Sequence, residues 1–474
     1  MMTDLIRAAD VTYAYPQHGY GLRATSLTAR AGDIVHIAGP SGSGKSTFAR
    51  CLSGLIPHLY RGDLGGEVHL GGLRTSETSL WQLAERAGLV FQTPAAQMLT
   101  VTAEEEIIFG LENLGLPPVT IEGRLEAGLN RFGLTAFRQR SPHTLSGGEQ
   151  QKLALAAITA RRPPILILDE PLSMLDSTAA AHLVAHLADL AREGATVIIC
   201  EHRAEYLSAL PHLRTVRLNG ATTPTPSPSE LPSPGDLTLK VSPFTLNVSK
   251  VTINLGGRAI LHDLSFSAES GQVLAIVGRN GVGKTTLLRA LAGLQKYQGT
   301  ILVDGNGQRP DLGMVFQNPN LQLFNATVRD EVLYQLNDPD LARYDWIMAM
   351  LGLTRYETTP PLLLSEGEKK RLALAMTLMR GPRHGVLLDE PALGQDAAHK
   401  STLMRLTHAL ADAGQLVILT THDLALAAEA DQLLILGRDG FVASGPPAEV
   451  LRDPAPWDEV GLHVPDWVRH EARG

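Results

Sequence analysis

Two eight-residue stretches carry the first recognisable chemistry. "GPSGSGKS" spans 39–46 and "GRNGVGKT" spans 278–285. Both fit G-x-x-x-x-G-K-[ST]. Each follows an apolar β-type run ("IVHIA", "VLAIV") and precedes a helical pattern ("TFARCLSGL", "TLLRALAGL"). That context separates a phosphate-cradling loop from a chance match. The glycines let backbone N–H groups curl round phosphates at a helix N-terminus. Lys45 and Lys284 would reach the β- and γ-phosphates of a nucleoside triphosphate, and Ser46 and Thr285 would ligate Mg²⁺. Candidate nucleotide contacts in the first loop are Gly39, Pro40, Ser41, Gly42, Ser43, Gly44 and Thr47. In the second they are Gly278, Arg279, Asn280, Gly281, Val282, Gly283 and Thr286.

A second pair of stretches supplies acids. "ILILDE" (165–170) and "GVLLDE" (385–390) read as buried strands ending in two carboxylates, each followed by proline. Asp169 and Asp389 fit an Mg²⁺-holding aspartate behind a phosphate loop. Glu170 and Glu390 are placed to polarise an attacking water as general base.

These elements occur twice because the chain is a tandem repeat. "GLVFQTPAAQ" (88–97) pairs with "GMVFQNPNLQ" (313–322), "TLSGGEQQKLALAAI" (144–158) with "LLSEGEKKRLALAMT" (363–377), and "VIICEHR" (197–203) with "VILTTHD" (417–423). The offset between partners shrinks along the chain, so copy two is the shorter, and such losses usually fall in loops. Between the copies, "ATTPTPSPSELPSPGD" (221–236) is rich in Pro, Ser and Thr and reads as an extended linker. The expected organisation is one domain over 1–220, a linker over 221–242, a second domain over 243–450 and a tail over 451–474.

The bulk numbers agree with two globular domains. Of 474 residues, 44% are hydrophobic and 19% charged, enough to build real cores. A net charge of −8 argues against wide contact with nucleic acid. Two cysteines, Cys51 and Cys200, make no disulfide framework and suit a reducing interior. No run approaches the roughly 18 apolar residues of a membrane span, and "MMTDLIRAADVTYAYP" lacks the pattern of a signal peptide. A chain soluble by itself is expected.

"LSGGE" (145–149) and "LSEGE" (364–368), each leading into a helical "KLALAAI" or "RLALAMT", resemble the signature of ATP-binding cassette (ABC) ATPases. The resemblance covers nearly the whole chain outside linker and tail. It implies an α/β fold: two tandem P-loop NTPase domains, each a RecA-like mixed-sheet core with an antiparallel β part and a helical subdomain. It implies Mg²⁺-dependent ATP hydrolysis. Gln92 and Gln317 resemble the Q-loop glutamines that sense Mg²⁺ and the attacking water. Asp176 and Asp396 resemble the D-loop aspartates, and His202 and His422 the switch histidines that contact the γ-phosphate. In this family two nucleotide domains pack head to tail, so the ATP under Lys45 would be capped by 364–368 and that under Lys284 by 145–149. Ser146 and Ser365 would donate to the γ-phosphate, with Gly147, Gly148 and Gly367 beside them. Glu366 stands where copy one has Gly147. A desolvated carboxylate facing a phosphate would repel it by several kcal/mol, so Glu366 is expected to point away. Tyr15 resembles the aromatic that stacks on adenine, whereas copy two offers Leu255 there and Ile253 at the Tyr13 position.

Within the ABC proteins, "VFQTPAAQMLTVTAEEEIIFGLENLGLP" (90–117), "VFQNPNLQLFNATVRDEVLY" (315–334) and "ALGQD" (392–396) are similar to energy-coupling-factor (ECF) transporter ATPases. That resemblance implies work at the cytoplasmic face of the membrane, with a transmembrane coupling protein and a small-molecule-binding membrane subunit as partners. The cargo would be a vitamin or a transition-metal ion. Glu104, Glu105, Glu106, Asp330 and Glu331 read either as first-turn acids favoured by the helix dipole or, for at least one of them, as a groove that receives an arginine of the coupling helix, as this resemblance implies. The alternative is a twin-ABC translation factor on the ribosome, against which stand the acidic chain and the short, nearly uncharged linker. A DNA-repair ATPase would need coiled-coil or zinc insertions that are not seen.

Overall fold

The computed structural model describes residues 4–16, 21–40, 42–202, 204–208, 210–218, 242–255, 258–304, 307–392, 397–462 and 464. Ser41, Asp396, nearly all of the expected linker and the end of the tail lie outside them. The chain divides into two compact units, Met1–Thr223 and Pro224–Gly474.

In copy one the runs "ILILD" and "TVIIC" are buried at every position, as strands covered on both faces must be. They form a parallel sheet in the order Ala87–Val90, Ile165–Asp169, Thr196–Cys200, Ile34–Ala38, Leu213–Arg217. A second, antiparallel sheet runs Leu22–Ala29, Ile6–Ala14, Asp63–Leu70, Leu73–Arg74. Copy two repeats the plan. Its parallel order is Leu312–Val315, Gly385–Asp389, Leu416–Thr420, Val273–Val277, Gln432–Leu436, with Phe441–Gly445 antiparallel at the edge. Its antiparallel part is Arg258–Glu269, Thr245–Leu255, Gln298–Val303. The candidate catalytic residues follow the carboxyl ends of the central parallel strands, where open α/β sheets bind ligands.

A helical part lies between the Q-loop and signature stretches of each copy. It comprises Ala103–Glu112, Pro118–Arg131 and Gly147–Ala160 in copy one, and Val328–Leu333, Leu341–Met350 and Glu366–Arg380 in copy two. The length difference is not confined to loops. Copy one carries the helix Leu80–Arg86 and the strand Leu73–Arg74 before its Q-loop, and among the described residues copy two has neither.

The residues after 450, expected as a tail, are folded into copy two as far as 464. Trp457, 1% exposed, donates its indole N–H to the Val450 carbonyl at 2.8 Å. Val460, Leu462 and Val464 join the same apolar cluster.

Candidate nucleotide-binding sites

Each phosphate loop leaves a buried central strand and enters a helix, Lys45–Leu52 or Lys284–Leu291. Gly44 and Gly283 sit at the helix N-caps with φ of 94° and 112°. A Cβ on Gly44 would fall 2.6 Å from the Gly21 carbonyl oxygen, so only glycine fits. The lysine ammonium groups bend back over the loops. Lys45 Nζ donates to the carbonyls of Gly39 and Pro40 at 2.8 and 2.9 Å, and Lys284 Nζ to those of Gly278 and Arg279 at 2.7 and 3.2 Å. Ser43 is buried within its loop, and Thr47 accepts or donates to Tyr15 Oη at 3.2 Å. Gly42 and Gly281 adopt φ of 73° and 78°, the left-handed turn a phosphate cradle uses. Asn280, Val282 and Thr286 complete the second loop and its helix start. Ser41 lies outside the described residues.

The metal candidates meet at the same place. Thr285 Oγ1 donates to Asp389 Oδ1 at 3.1 Å, and the Ser46 hydroxyl is near enough to Asp169 to favour its charged form. Asp169 Oδ1 and Asp389 Oδ2 are buried with no hydrogen-bond partner among the described residues. An orphaned carboxylate oxygen next to a hydroxyl fits a hard, oxygen-seeking cation, so these residues fit Mg²⁺. Burial, and then the charge of Glu170, pushes the Asp169 carboxyl up to about 6, against the pull of Ser46, Arg50 and Lys45. Asp389 is raised too, chiefly by burial, but the Thr420 hydroxyl donates to it at 2.8 Å and opposes the rise.

The next residue in each copy is unusual in its backbone. Glu170 and Glu390 have φ of 50° and 49°, the left-handed region that a glutamate enters at a cost of about 1–3 kcal/mol. Main-chain bonds pin them there, Glu170 N–H to Cys200 O at 2.8 Å and Glu390 N–H to Thr420 O at 3.1 Å. The turn swings both carboxylates toward the switch histidines. His202 Nε2 lies 3.3 Å from Glu170 Oε1, and His422 Nδ1 lies 2.9 Å from Glu390 Oε2. Gln92 Nε2 donates to Glu170 Oε2 at 2.9 Å. Gln317 holds the matching position after Leu312–Val315, half-buried. Burial pushes Glu390 up, but His422, with Lys284 and Lys370 behind it, outweighs burial and holds its carboxyl below the ordinary range.

Ser146 and Ser365 are the N-caps of the signature helices, and each forms a reciprocal capping box with the glutamate three residues on. Ser146 N–H donates to Glu149 Oε2 at 2.8 Å, and Ser365 N–H to Glu368 Oε2 at 2.8 Å. Gly148 and Gly367 lie in the first turns, with open space where a Cβ would sit on Gly367. Glu366 turns along its own helix to Lys369 at 3.1 Å. Gly147 is tighter, since a Cβ there would come within 3.0 Å of Met174 Sδ. Asp176 caps the helix Ser177–Arg192 by accepting from Ala179 N–H at 2.9 Å. Tyr15 packs edge-on against Tyr13 at 4.8 Å, and its hydroxyl accepts from Arg50 at 3.2 Å. In copy two Ile253 is fully buried and Leu255 is 42% exposed, so that edge carries no ring.

The acids expected to receive a partner arginine all have partners within their own domain, and two of them are buried. Glu106 is buried, and its Oε2 accepts from Leu99 N–H (2.9 Å), Thr100 N–H (3.0 Å) and Thr100 Oγ1 (2.9 Å). Glu331 is fully buried and takes Phe324 N–H and Asn325 N–H at 2.8 and 2.7 Å. Glu105 accepts from the Thr102 N–H in a capping box, and Asp330 accepts from the hydroxyl of its own N-cap, Thr327, at 2.7 Å. Glu104 pairs with Arg138 and Gln139. Within one domain, the acids were recruited to latch the preceding loop and to cap the helix.

The model of the family described as ABC transporter matches residues 22–173 and 261–393, more than half of the chain. The chain belongs to the ABC transporter family. Its activity is ATP hydrolysis with Mg²⁺ as cofactor. A provisionally named ABC transporter ATP-binding protein of Treponema denticola is 34% identical, with 84% of this chain and 88% of that protein covered. A Bacillus subtilis protein, provisionally named as an HMP/thiamine import ATP-binding protein, is also 34% identical, over 90% of this chain and 88% of its own. Among solved structures, an RNase-L inhibitor is 20% identical with a TM-score of 0.62, covering 94% of this ABC chain and 92% of its own, a likeness of fold.

The left-handed glutamates were not foreseeable, because nothing in "LDEP" marks a positive φ. The latch by Glu106 and Glu331 had only a weak signal, a glutamate one residue beyond the capping position.

Proposed function

We propose that this ABC ATPase is the energy-coupling subunit of an ECF-type importer, driving uptake of a vitamin or transition-metal ion through membrane partners. One observation carries the reading. The loop that the buried glutamate latches carries an exposed apolar side chain at the matching place in both copies: Leu99 is 71% exposed and Phe324 64%, with Val101, 74% exposed, close to the first. Holding a loop rigidly so that it offers large apolar groups to water makes sense when a partner covers them. The loop follows the Q-loop glutamine, so a partner seated there would touch the segment next to the γ-phosphate site. The import named for the Bacillus subtilis relative points the same way. The chosen cargo would be set by a membrane subunit, and the working place would be the cytoplasmic face of the membrane.

For the chemistry, we assign Lys45 and Lys284, with the loop N–H groups, to bind and orient the triphosphate. Ser46 with Asp169, and Thr285 with Asp389, would hold Mg²⁺, with Gln92 and Gln317 alongside. The metal, when bound, neutralises charge on the β- and γ-phosphates. Glu170 or Glu390 accepts the proton as water attacks the γ-phosphorus, the bond to the β–γ bridging oxygen breaks, and ADP departs. His202 and His422, in contact with those carboxylates, orient them and reach the γ-phosphate. One chain carries two phosphate loops and two capped signature serines, one of each in either domain. Tyr15 gives the first site an adenine platform worth about 1 kcal/mol that the second lacks.

Affinity purification of the tagged chain from gently solubilised native membranes, with mass spectrometry of co-eluting proteins, tests the reading. A polytopic coupling protein with a small membrane binding protein is expected. Ribosomes without a membrane protein would overturn it in favour of a translation factor. In the purified chain, Glu170→Gln with Glu390→Gln should reduce hydrolysis by about 10²-fold or more.

A further inference from the structure

The two copies support their strained glutamates differently. Lys370 lies on the signature helix Glu366–Arg380 of copy two, five positions after Ser365, and is 7% exposed. Its Nζ donates to the main-chain carbonyl of Glu390 at 3.1 Å. The matching residue of copy one is Gln151, fully buried, whose side-chain nitrogen and oxygen have no partner among the described residues. The Glu170 carbonyl instead accepts from Ser173 Oγ and N–H at 2.9 and 3.2 Å, within its own turn, and its carboxylate has Gln92 and His202.

Burying an ammonium group is expensive unless charge and hydrogen bonds offset it. The Glu390 carbonyl and the nearby carboxylate supply both. A left-handed glutamate peptide also has a strong tendency to relax, and a charge-assisted bond to its carbonyl opposes that.

We propose that Lys370 is a positioning residue of the second site, fixing the Glu390 peptide through its main-chain carbonyl, so that the two sites turn over at different rates. The tie runs from the signature helix to the glutamate of the same domain. Movement of the signature helix and placement of the base are therefore mechanically linked in copy two. Among the described residues, Gln151 of copy one makes no such link. The inference rests on Glu390 being the base of its site.

The test uses the full-length chain with Glu170→Gln, which leaves the second site to be measured. Lys370→Gln, the copy-one residue, should lower kcat roughly tenfold while KM for ATP stays within about twofold. Lys370→Arg should restore at least half of the loss. Lys370→Met keeps the apolar stem, so it carries the same expectation if Lys370→Gln lowers the melting temperature. An unchanged kcat in Lys370→Gln and Lys370→Met overturns the proposal. So does a loss that arginine does not relieve and that KM shares in proportion. The Glu170→Gln, Glu390→Gln variant separates the two failures. If it is inactive while Lys370→Gln is normal, only the role of Lys370 falls. If it hydrolyses normally, the assignment of the base falls, and the proposal with it.

Discussion

Asp169 and Asp389 stand in matching places but face different neighbours. Thr420 gives Asp389 a hydroxyl donor, whereas copy one has Cys200, a buried thiol whose sulfur lies 3.7 Å from the Lys45 carbonyl oxygen. The thiol donates weakly, so Asp169 bears more of its desolvation unrelieved. Its rise from 3.8 to about 6 costs the nucleotide-free fold about 3 kcal/mol at about 1.36 kcal/mol per pH unit. The folded value exceeds the unfolded one. The cost is therefore full above pH 6, shrinks as pH falls toward 3.8, and is gone below that. Cys200→Thr should stabilise the nucleotide-free protein at pH 8 by about 1 kcal/mol, with a gain that fades below pH 6. Thermal unfolding of both proteins across that range is the check. A gain independent of pH would show that packing, not the carboxylate, responded. The motifs single out Asp169 in the sequence, but its environment depends on Cys200, which stands 31 residues further along the chain and carries no motif of its own.

At the scale of the element, the signature helices show how far a repeat informs and where it stops. The buried strands, the P-loop helices and the helical runs after the signatures were readable; the strand order and the capping boxes came from the structure. Buried runs, glycine-bounded turns and S-x-x-E spacing are local signals with local causes. The extra helix Leu80–Arg86 and the folding of Trp457 into copy two were not, because both depend on surfaces far away in sequence. The exchange of Gly147 for Glu366 lies between these cases. In copy one the helix start is crowded by Met174, 3.0 Å from where a Cβ would be. The sequence of copy two has Gly394 at the position of Met174, so a large residue at one place goes with a small one at the other. Gly147→Glu alone should therefore displace Met174 and reduce hydrolysis several-fold. Adding Met174→Gly should recover most of it, a coupling of about 1 kcal/mol or more in a double-mutant cycle. Additive losses would mean that the two positions do not compensate.

For the whole molecule the question is what covers the latched loops. A buried glutamate that accepts two main-chain N–H groups and a side-chain donor holds each loop in one shape. That shape puts Leu99 and Val101, or Leu321 and Phe324, into water. Unassisted, such a surface favours association over solubility. Because the same design recurs in both copies, it suits a partner that contacts each domain through an apolar segment next to the Q-loop. The charge around the two loops nevertheless differs. Glu104 pairs with Arg138 in copy one, and at the matching positions Arg329 pairs with Glu357 in copy two. The two contact segments of the partner should then be apolar alike but different in their flanking charges, and each copy should accept only its own. Leu99→Ser and Phe324→Ser should each reduce recovery of the membrane partner from solubilised membranes, and the double variant should abolish it, while the melting temperature stays within about 2 °C. Glu331→Gln should act on the same readout indirectly, by loosening the loop, and should also lower the melting temperature of copy two. Full recovery with Leu99→Ser and Phe324→Ser combined would move the docking surface elsewhere, and the exposed side chains would then need another explanation.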